Sequence, residues 1–298
     1  MRLSTEEMDA ILAANIELLE NDPDAVALEF DIAEDGDVRG LVLVHQDPTR
    51  KSLSFAGSAK AAPGLPTLPL RVERGDVPTE EIASIDVAPL HEEALLADRA
   101  GLSGTRVCEG GGCGTLCLSG ASISLTHDGR SCGTRDPFLL SNSHVFHRAG
   151  GIVTSGGESV GTVACVFDLE ARTTFDGGVA EANAEVPREN AFKVLNPHGA
   201  PLEIAGLKTA ETGMRIAKMG MVSGWTEGRV GSAIVTRIEG HRALYPSWKA
   251  TYRSRAGDSG SPILFKDTDG KWYLVGIHFS SGPRFHSWNN VDISVSRD

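Results

Sequence analysis

The sequence predicts a protein of two parts that is rich in turns, with a small α+β unit ahead of a larger part. The chain has 298 residues, 41% of them hydrophobic, and contains 34 Gly and 14 Pro. This length suits two domains, and the abundance of turn-forming residues suits short elements. Residues 1–100 carry 21 acids and 8 bases, whereas residues 101–298 carry 19 acids and 20 bases. We therefore place a domain boundary near residue 97, which gives domains 1–97 and 98–298.

The first part is predicted to begin with an amphipathic helix. Ser4 is followed three residues later by Glu7, which is a capping-box pattern. Apolar residues then recur near helical spacing, which predicts a helix over about 5–21. Short strand-like runs follow at 26–30, 41–44, 53–55 and 70–72. The acidic, mixed stretch from Pro78 to about Ser103 is typical of a linker.

Residues 257–262, Gly-Asp-Ser-Gly-Ser-Pro, have the pattern of a nucleophile turn. Glycine at 257 lets the backbone turn so that the amides of Gly257 and Ser259 converge on one point, as an oxyanion hole requires. A serine hydroxyl is a weak nucleophile at neutral pH, so it needs a histidine to take its proton and a carboxylate to orient that histidine. We predict Ser259 as the nucleophile and the amides of Gly257 and Ser259 as the oxyanion hole.

Candidates for both partners occur earlier in the chain. His144 follows the apolar run 138–140, in a segment that indicates a strand end leading into a turn. Asp176 stands before a run of small and apolar residues, and Asp168 is an alternative carboxylate. The order His, Asp, Ser is that of the chymotrypsin-like arrangement and differs from the subtilisin-like and α/β-hydrolase orders.

These motifs resemble those of trypsin-like serine peptidases of the chymotrypsin fold, in the bacterial form with Ser-Asn-x-His-Val around the histidine. The resemblance spans roughly residues 103–298. It includes residues 216–220 and 224–230, which are similar to the Lys-x-Gly and Gly-x-Thr-x-Gly stretch that opens the second barrel in these peptidases. The family places its aspartate before small and apolar residues, which favours Asp176 over Asp168.

The resemblance implies a mainly β fold, a chymotrypsin-like double antiparallel β-barrel preceded by the α+β unit. It implies two six-stranded barrels packed side by side, with His144 and Asp176 on the first and Ser259 on the second. Catalysis would occur in the cleft between them.

The segment 275–281 is similar to the Gly-Ile-His-Trp segment of glutamyl endopeptidases, whose histidine contacts the acidic side chain of the substrate. The resemblance therefore implies a substrate-binding pocket that contains His278, Ser254 and Ser280, with a preference for Glu or Asp. A trypsin-like preference is disfavoured, because it needs an acid six residues before the nucleophile and Arg253 stands there. The alternative role for His278 is that of a core histidine satisfied by a backbone group.

The sequence thus predicts a serine endopeptidase that needs no cofactor and no metal and acts on protein or peptide substrates. The alternatives are a peptidase without acidic preference and a peptidase fold that binds peptides without cutting them. We expect neither nucleic acid nor membrane as a partner. We expect the acidic first domain to restrain the peptidase, the alternative being that it completes the fold or recruits a regulatory partner.

The N-terminus lacks the basic-then-apolar pattern of a secretory signal, so we expect a cytoplasmic protein. No apolar run approaches the roughly 20 residues needed to cross a bilayer. Five cysteines form an odd set, at positions 108, 113, 117, 132 and 165. In a reducing compartment we expect no essential disulfide. Their spacing matches no familiar zinc ribbon, which favours buried, small apolar side chains.

Overall fold

The structure is a computed structural model of the chain, and it describes most of the sequence. The described ranges are 1–33, 36–46, 58–76, 83–84, 100–167, 174–237, 244–280 and 282–297. The predicted strand at 53–55, the alternative carboxylate Asp168 and most of the predicted linker lie outside these ranges.

The described residues form three short α-helices, two 3₁₀ helices and many β-strands. The helices are α1 (Thr5–Asn15), α2 (Glu17–Glu20) and α3 (Ser143–Phe146), and two 3₁₀ helices span Arg188–Asn190 and Trp288–Asn290. The first eleven strands are β1 (Ala25–Ile32), β2 (Val38–His45), β3 (Leu70–Arg74), β4 (Ala83–Ser84), β5 (Arg106–Glu109), β6 (Gly112–Thr115), β7 (Leu118–Gly120), β8 (Ser122–His127), β9 (Arg130–Thr134), β10 (Phe138–Ser141) and β11 (Ile152–Ser155). The remaining strands are β12 (Glu158–Val166), β13 (Gly178–Ala182), β14 (Lys193–Val194), β15 (Leu202–Leu207), β16 (Arg215–Gly220), β17 (Gly224–Arg237), β18 (Leu244–Ala250), β19 (Pro262–Lys266), β20 (Trp272–Ser280), β21 (Arg284–Ser287) and β22 (Asp292–Ser296).

The C-terminal half contains a closed six-stranded antiparallel barrel. Its strands pair in the cycle β16, β17, β18, β21, β20, β19 and back to β16. Closure leaves no free edge among these six strands. This is the second barrel that the sequence predicts.

The preceding region forms a second curved sheet in the order β4-β6-β5-β11-β12-β13-β10-β7. Strands β6 and β7 are successive segments of the chain, separated by Leu116 and Cys117. Because β6 pairs with β5 and β7 pairs with β10, the sheet curls back on itself. A three-stranded sheet of β22, β8 and β9 completes the architecture. The predicted fold class, mainly β with a chymotrypsin-like double barrel, is confirmed. The expectation of two six-stranded barrels holds for the second barrel, whereas the first is a half-barrel formed by an eight-stranded sheet.

The N-terminal strands extend the sheet of the second barrel. Strand β1 pairs antiparallel with β17, with Leu28 opposite Val235, and β2 and β3 continue outward from β1. Met8 and Leu12 of α1 belong to the same hydrophobic cluster as Trp248 of the barrel. Burial of this shared apolar surface stabilises both parts together. The domain boundary near residue 97 and the regulatory role of the first part remain predictions.

The predicted start of the first helix is confirmed. The Ser4 side chain accepts a hydrogen bond from the Glu7 amide at 3.2 Å, and the Glu7 carboxylate accepts one from the Ser4 amide at 2.7 Å. These two bonds satisfy donors that the helix itself leaves open. Among the residues that the structure describes, no helix is long and apolar enough to cross a membrane.

We expected no essential disulfide and buried, unpaired cysteines, but the structure pairs four of the five cysteines in disulfides. Cys108 and Cys113 face each other across β5 and β6 and are bonded, with their Cα atoms 4.1 Å apart. Cys132 and Cys165 form a second disulfide, and Cys117 remains a buried thiol. The count and spacing of cysteines do not reveal which residues face each other across a ladder. Disulfides persist mainly in oxidising compartments, which argues against the reducing compartment that the expectation assumed.

Candidate active site

The turn that carries Ser259 lies between β18 and β19 of the second barrel. Its glycines adopt backbone conformations that other residues rarely do, with φ of +99° at Gly257 and +89° at Gly260. A Cβ atom at Gly260 would also collide with the Thr115 carbonyl and the Ser141 hydroxyl. The glycines on both sides of Ser259 are therefore required by the shape of the turn and by its contact with the first sheet.

Thr115, from β6 of the first sheet, holds this turn in place across the two barrels. Its amide donates to the Ser259 carbonyl at 2.7 Å, and its hydroxyl donates to the Gly257 carbonyl at 2.9 Å. The same hydroxyl oxygen accepts a hydrogen bond from the Met221 amide at 3.1 Å. One buried threonine thus fixes the backbone on both sides of residue 258.

A buried ion pair lies directly behind the turn. Lys218 Nζ is 2.7 Å from Asp258 Oδ2, and both side chains are fully buried. Burial alone would raise the pKa of Asp258, but the Lys218 charge and hydrogen bonds from Lys218 and Ser223 lower it. The other carboxylate oxygen accepts the amides of Val222 and Ser223, at 3.1 and 3.0 Å. Asp258 is therefore ionised and anchored next to Ser259.

Two amides of the turn are available to a ligand. Within the described part of the chain, no acceptor receives the N–H of Gly257 or of Ser259. These are the two donors that the sequence predicts for an oxyanion hole. The Ser259 hydroxyl is fully buried and donates to the Phe279 carbonyl at 3.3 Å.

His144 and Asp176 form a hydrogen-bonded pair on the first sheet. His144 lies in α3, just after β10, and Asp176 lies just before β13, which pairs with β10. Nδ1 of His144 is hydrogen-bonded to Oδ2 of Asp176. The other carboxylate oxygen accepts hydrogen bonds from the Ser143 amide at 2.8 Å and the Ser143 hydroxyl at 2.6 Å. Both oxygens of the carboxylate are thus occupied, which fixes its orientation.

The charge of Asp176 is stabilised by its neighbours. Burial would raise its pKa, but the His144 charge, hydrogen bonds from His144 and Ser143, and the charge of His286 lower it to about 2. Asp176 is therefore ionised at neutral pH. An ionised carboxylate on Nδ1 holds the imidazole in the tautomer that leaves Nε2 to accept a proton.

The structure brings the nucleophile turn to the His144–Asp176 pair. A Cβ atom built on Gly114 would lie 2.5 Å from a Val145 methyl carbon and 2.6 Å from the Ser259 carbonyl oxygen. The turn therefore packs against the residue that follows His144. On the other side, the Phe279 ring stacks on His286 with 4.1 Å between centroids, and His286 Nε2 accepts the Asp176 amide at 3.3 Å. Since the Phe279 carbonyl accepts the Ser259 hydroxyl, these contacts connect all three predicted residues.

The predicted specificity residues lie beside the turn in different settings. His278 is fully buried, its carbonyl accepts the Gly260 amide at 2.8 Å, and its Nδ1 is 2.9 Å from the Tyr252 hydroxyl oxygen. The Ser280 hydroxyl is also buried and has no hydrogen-bond partner among the described residues. Ser254 is half-buried, and its neighbours Arg253 and Arg255 are exposed.

One group of side chains has the composition of a metal site. Asp22, Asp24 and His45 each place a ligand atom within 4.8 Å of the others. They lie on the N-terminal extension and not on the elements that carry Ser259, His144 or Asp176. Their contacts include Asp22 Oδ2 to His45 Nε2 at 3.2 Å and the Asp24 amide to Asp22 Oδ1 at 3.1 Å.

Comparison with solved structures finds proteins of similar fold. No family model and no curated protein matches the chain by sequence. Among solved structures, Thermobifida fusca protease A aligns with a TM-score of 0.47 at 18% identity, over 66% of this chain and all of that one. Cellulomonas bogoriensis chymotrypsin aligns with a TM-score of 0.45 at 19% identity, over 63% of this chain and 92% of that one. A third structure is a glutamic acid specific serine protease that uses a histidine triad in substrate binding. It aligns with a TM-score of 0.46 at 20% identity, over 62% of this chain and 92% of that one. These three structural neighbours are bacterial chymotrypsin-fold serine proteases, each at or below 20% identity to this chain.

Four residues that shape this site had no role predicted from the sequence: Lys218, Thr115, Tyr252 and His286. Lys218 gave a usable signal, because a lysine between Ala217 and Met219 in an apolar strand needs a buried partner. The other three gave none, since their contacts join segments far apart in the chain.

Proposed function

We propose that the protein is a serine endopeptidase that forms an acyl-enzyme on Ser259. The observation that carries this proposal is the set of contacts through Phe279 and His286 that links Ser259 to the His144–Asp176 pair. Two turn amides beside Ser259 have no acceptor in the described part of the chain. Each component is fixed by separate contacts, which is the preorganisation that acyl transfer requires.

In the proposed reaction, the Ser259 hydroxyl turns from the Phe279 carbonyl towards His144 Nε2. The oxygen of Ser259 attacks the scissile carbonyl carbon while His144 accepts its proton. The negative charge on the tetrahedral intermediate is stabilised by the amides of Gly257 and Ser259. His144 then gives the proton to the leaving amine, and the acyl-enzyme remains.

Deacylation repeats these steps with water. His144 accepts a proton from water, the resulting hydroxide attacks the acyl carbon, and the proton returns to Ser259 as the ester bond breaks. Asp176 stays ionised throughout, consistent with its lowered pKa, and stabilises the imidazolium that forms in each step.

We further propose that the enzyme cleaves after Glu or Asp. His278 lies one strand from the nucleophile and is held by Tyr252. The buried Ser280 hydroxyl has no partner in the described part of the chain, and a buried polar atom of this kind gains free energy when a ligand satisfies it. An imidazole and a hydroxyl together suit a carboxylate. The exposed guanidinium groups of Arg253 and Arg255 add positive charge near the turn.

One observation favours the alternative of a peptide-binding module without catalysis. Ser259 is fully buried, and its hydroxyl is engaged by Phe279. A scaffold that binds peptides would retain the pocket residues but would not cleave.

Substrate profiling separates these proposals. Purified protein is incubated with a peptide library, and new N-termini are identified by mass spectrometry, with Ser259→Ala as the control. We expect cleavage after Glu and Asp that the control lacks. The variant His278→Ala should lose the acidic preference more than it loses activity on a reactive ester. Cleavage after Lys, Arg or large apolar residues would contradict the specificity and retain the mechanism; no cleavage by the wild type would contradict the mechanism.

A further inference from the structure

A cavity of about 500 Å³ lies on the first sheet and is lined by three arginines. These are Arg135 after β9, Arg188 in the 3₁₀ helix that precedes β14, and Arg297 after β22. Among the residues that the structure describes, no Asp or Glu lines the cavity. In a chain with a net charge of −12, three arginines that line one cavity are a local excess of positive charge.

Two of the three arginine side chains make no polar contact with the rest of the described protein. Among the residues that the structure describes, Arg135 and Arg188 have no ion pair or side-chain hydrogen bond. Acidic residues stand close in sequence, namely Asp136 and Glu189, but neither lines the cavity. Arg297, in contrast, lies over the Phe192 ring at 4.8 Å and donates to the Ile204 carbonyl. Arg297 is therefore fixed, and the other two arginines are free to engage a ligand.

The rest of the lining is apolar. It includes Pro137, Phe138, Val186 and Pro187. A volume of 500 Å³ lies within the range of pockets that hold small organic molecules. A guanidinium group presents two parallel N–H donors that match the oxygens of a carboxylate or phosphate group.

We propose that this cavity binds an organic anion that has an apolar body and carries carboxylate or phosphate groups. Arg135 and Arg188 bind its charged oxygens, and the proline and valine side chains contact its body. The site is separate from the proposed active site, because it lies at the Phe138 end of β10 whereas His144 follows the Ser141 end.

The cavity is also connected to the His144–Asp176 pair through two strands. Phe138 begins β10, and Ala182 ends β13, which begins just after Asp176. The two strands pair along their length, from Phe138 opposite Glu181 to Ser141 opposite Gly178. A ligand in the cavity therefore contacts the far ends of both strands that position the pair.

The test is isothermal titration of the full chain with phenyl phosphate, isophthalate and the neutral control benzyl alcohol. We expect saturable binding of at least one anion, at least tenfold tighter than benzyl alcohol and weaker at higher salt. The double variant Arg135→Ala with Arg188→Ala should lose at least tenfold in affinity. The double lysine variant should lose less, because it keeps the charge but not the paired donors.

The control is Arg215→Ala, which removes an exposed arginine that does not line the cavity. It should bind like the wild type. Binding of phenyl phosphate alone or isophthalate alone assigns the ligand class, and binding of both assigns the shared oxyanion chemistry. The proposal is overturned if neither anion binds, or if the double alanine variant, folded as judged by circular dichroism, binds as tightly as the wild type.

Discussion

The nucleophile turn on the second barrel and the His144–Asp176 pair on the first sheet are held by different means. Each depends on a buried carboxylate whose pKa is lowered by its partners. Asp258 is paired with the buried ammonium group of Lys218, and this pair anchors the turn. Asp176 faces an imidazole that can gain and lose a proton. One buried carboxylate therefore fixes the backbone of the turn, and the other fixes the orientation of an imidazole whose protonation can change.

The largest expected effects on kcat come from replacing His144 or Asp176, the pair that accepts the proton from Ser259 in the proposed mechanism. His144→Ala should lower kcat by about 10⁶-fold, and Asp176→Asn by about 10⁴-fold, because the amide favours the wrong imidazole tautomer. Both variants should keep the wild-type circular dichroism spectrum. Steady-state hydrolysis of an activated ester measures the losses. If either variant keeps more than a tenth of the wild-type kcat, the residue replaced in it does not have the role proposed for it.

Breaking the Lys218–Asp258 ion pair should lower the stability of the protein as well as its activity. Lys218→Met leaves Asp258 buried without its cation, which should cost about 3–5 kcal/mol of unfolding free energy. The double variant Lys218→Met with Asp258→Asn should recover part of this loss, since it removes the isolated charge. Urea denaturation measures both. Equal stability of the single and double variants would show that the Asp258 charge does not require Lys218.

The two disulfides should also differ in their contribution to stability, because they close loops of very different length. Cys132 and Cys165 are 33 residues apart, whereas Cys108 and Cys113 are 5 apart. On the chain-entropy argument, replacing the first pair by serine should cost about 4 kcal/mol and the second about 2 kcal/mol. The Cys108–Cys113 hairpin leads directly to Thr115, so its loss should also lower kcat, which the other replacement should leave unchanged. The reverse order of stabilities or of kcat effects would contradict this assignment.

The smallest expected effect concerns a third carboxyl group, Asp9 on α1. Partial burial and the nearby Glu6 charge raise its pKa to about 6, in contrast to Asp176 and Asp258. The folded state therefore binds the proton more tightly than the unfolded chain, so the stability that Asp9 contributes is present below about pH 4 and is lost as pH rises through about 6. Asp9→Asn should raise Tm by about 2 °C at pH 7.5. Scanning calorimetry measures this, with the exposed Asp292→Asn as a control that should leave Tm unchanged. A lower Tm for Asp9→Asn at pH 7.5 would contradict the sign.

Local sequence patterns identified the parts of the site that depend on backbone shape. Glycines around Ser259 and the strand end before His144 are visible in sequence because the local turn requires them. The fold class followed from the same motifs through their resemblance to a known family. The capping box of α1 was equally local, and the structure confirms it.

The remaining features depend on contacts between distant segments, which composition and spacing do not encode. Pairing of β1 with β17 joins residues more than two hundred positions apart, so the N-terminal strands appeared to be a separate unit. The Cys132–Cys165 disulfide was missed for the same reason. The role of Thr115 could not be predicted either. Threonine is common in strands, and its function here depends on hydrogen bonds to Gly257 and Ser259, which are distant in sequence.

The central claim is that Ser259 is an activated nucleophile and not a buried structural serine. Intact protein incubated with a fluorophosphonate probe and analysed by mass spectrometry tests this directly, with Ser259→Ala and His144→Ala as controls. The account predicts one covalent adduct, mapped to Ser259, that is absent in Ser259→Ala and strongly slowed in His144→Ala. An unlabelled wild-type protein, or labelling that persists in Ser259→Ala, would contradict it.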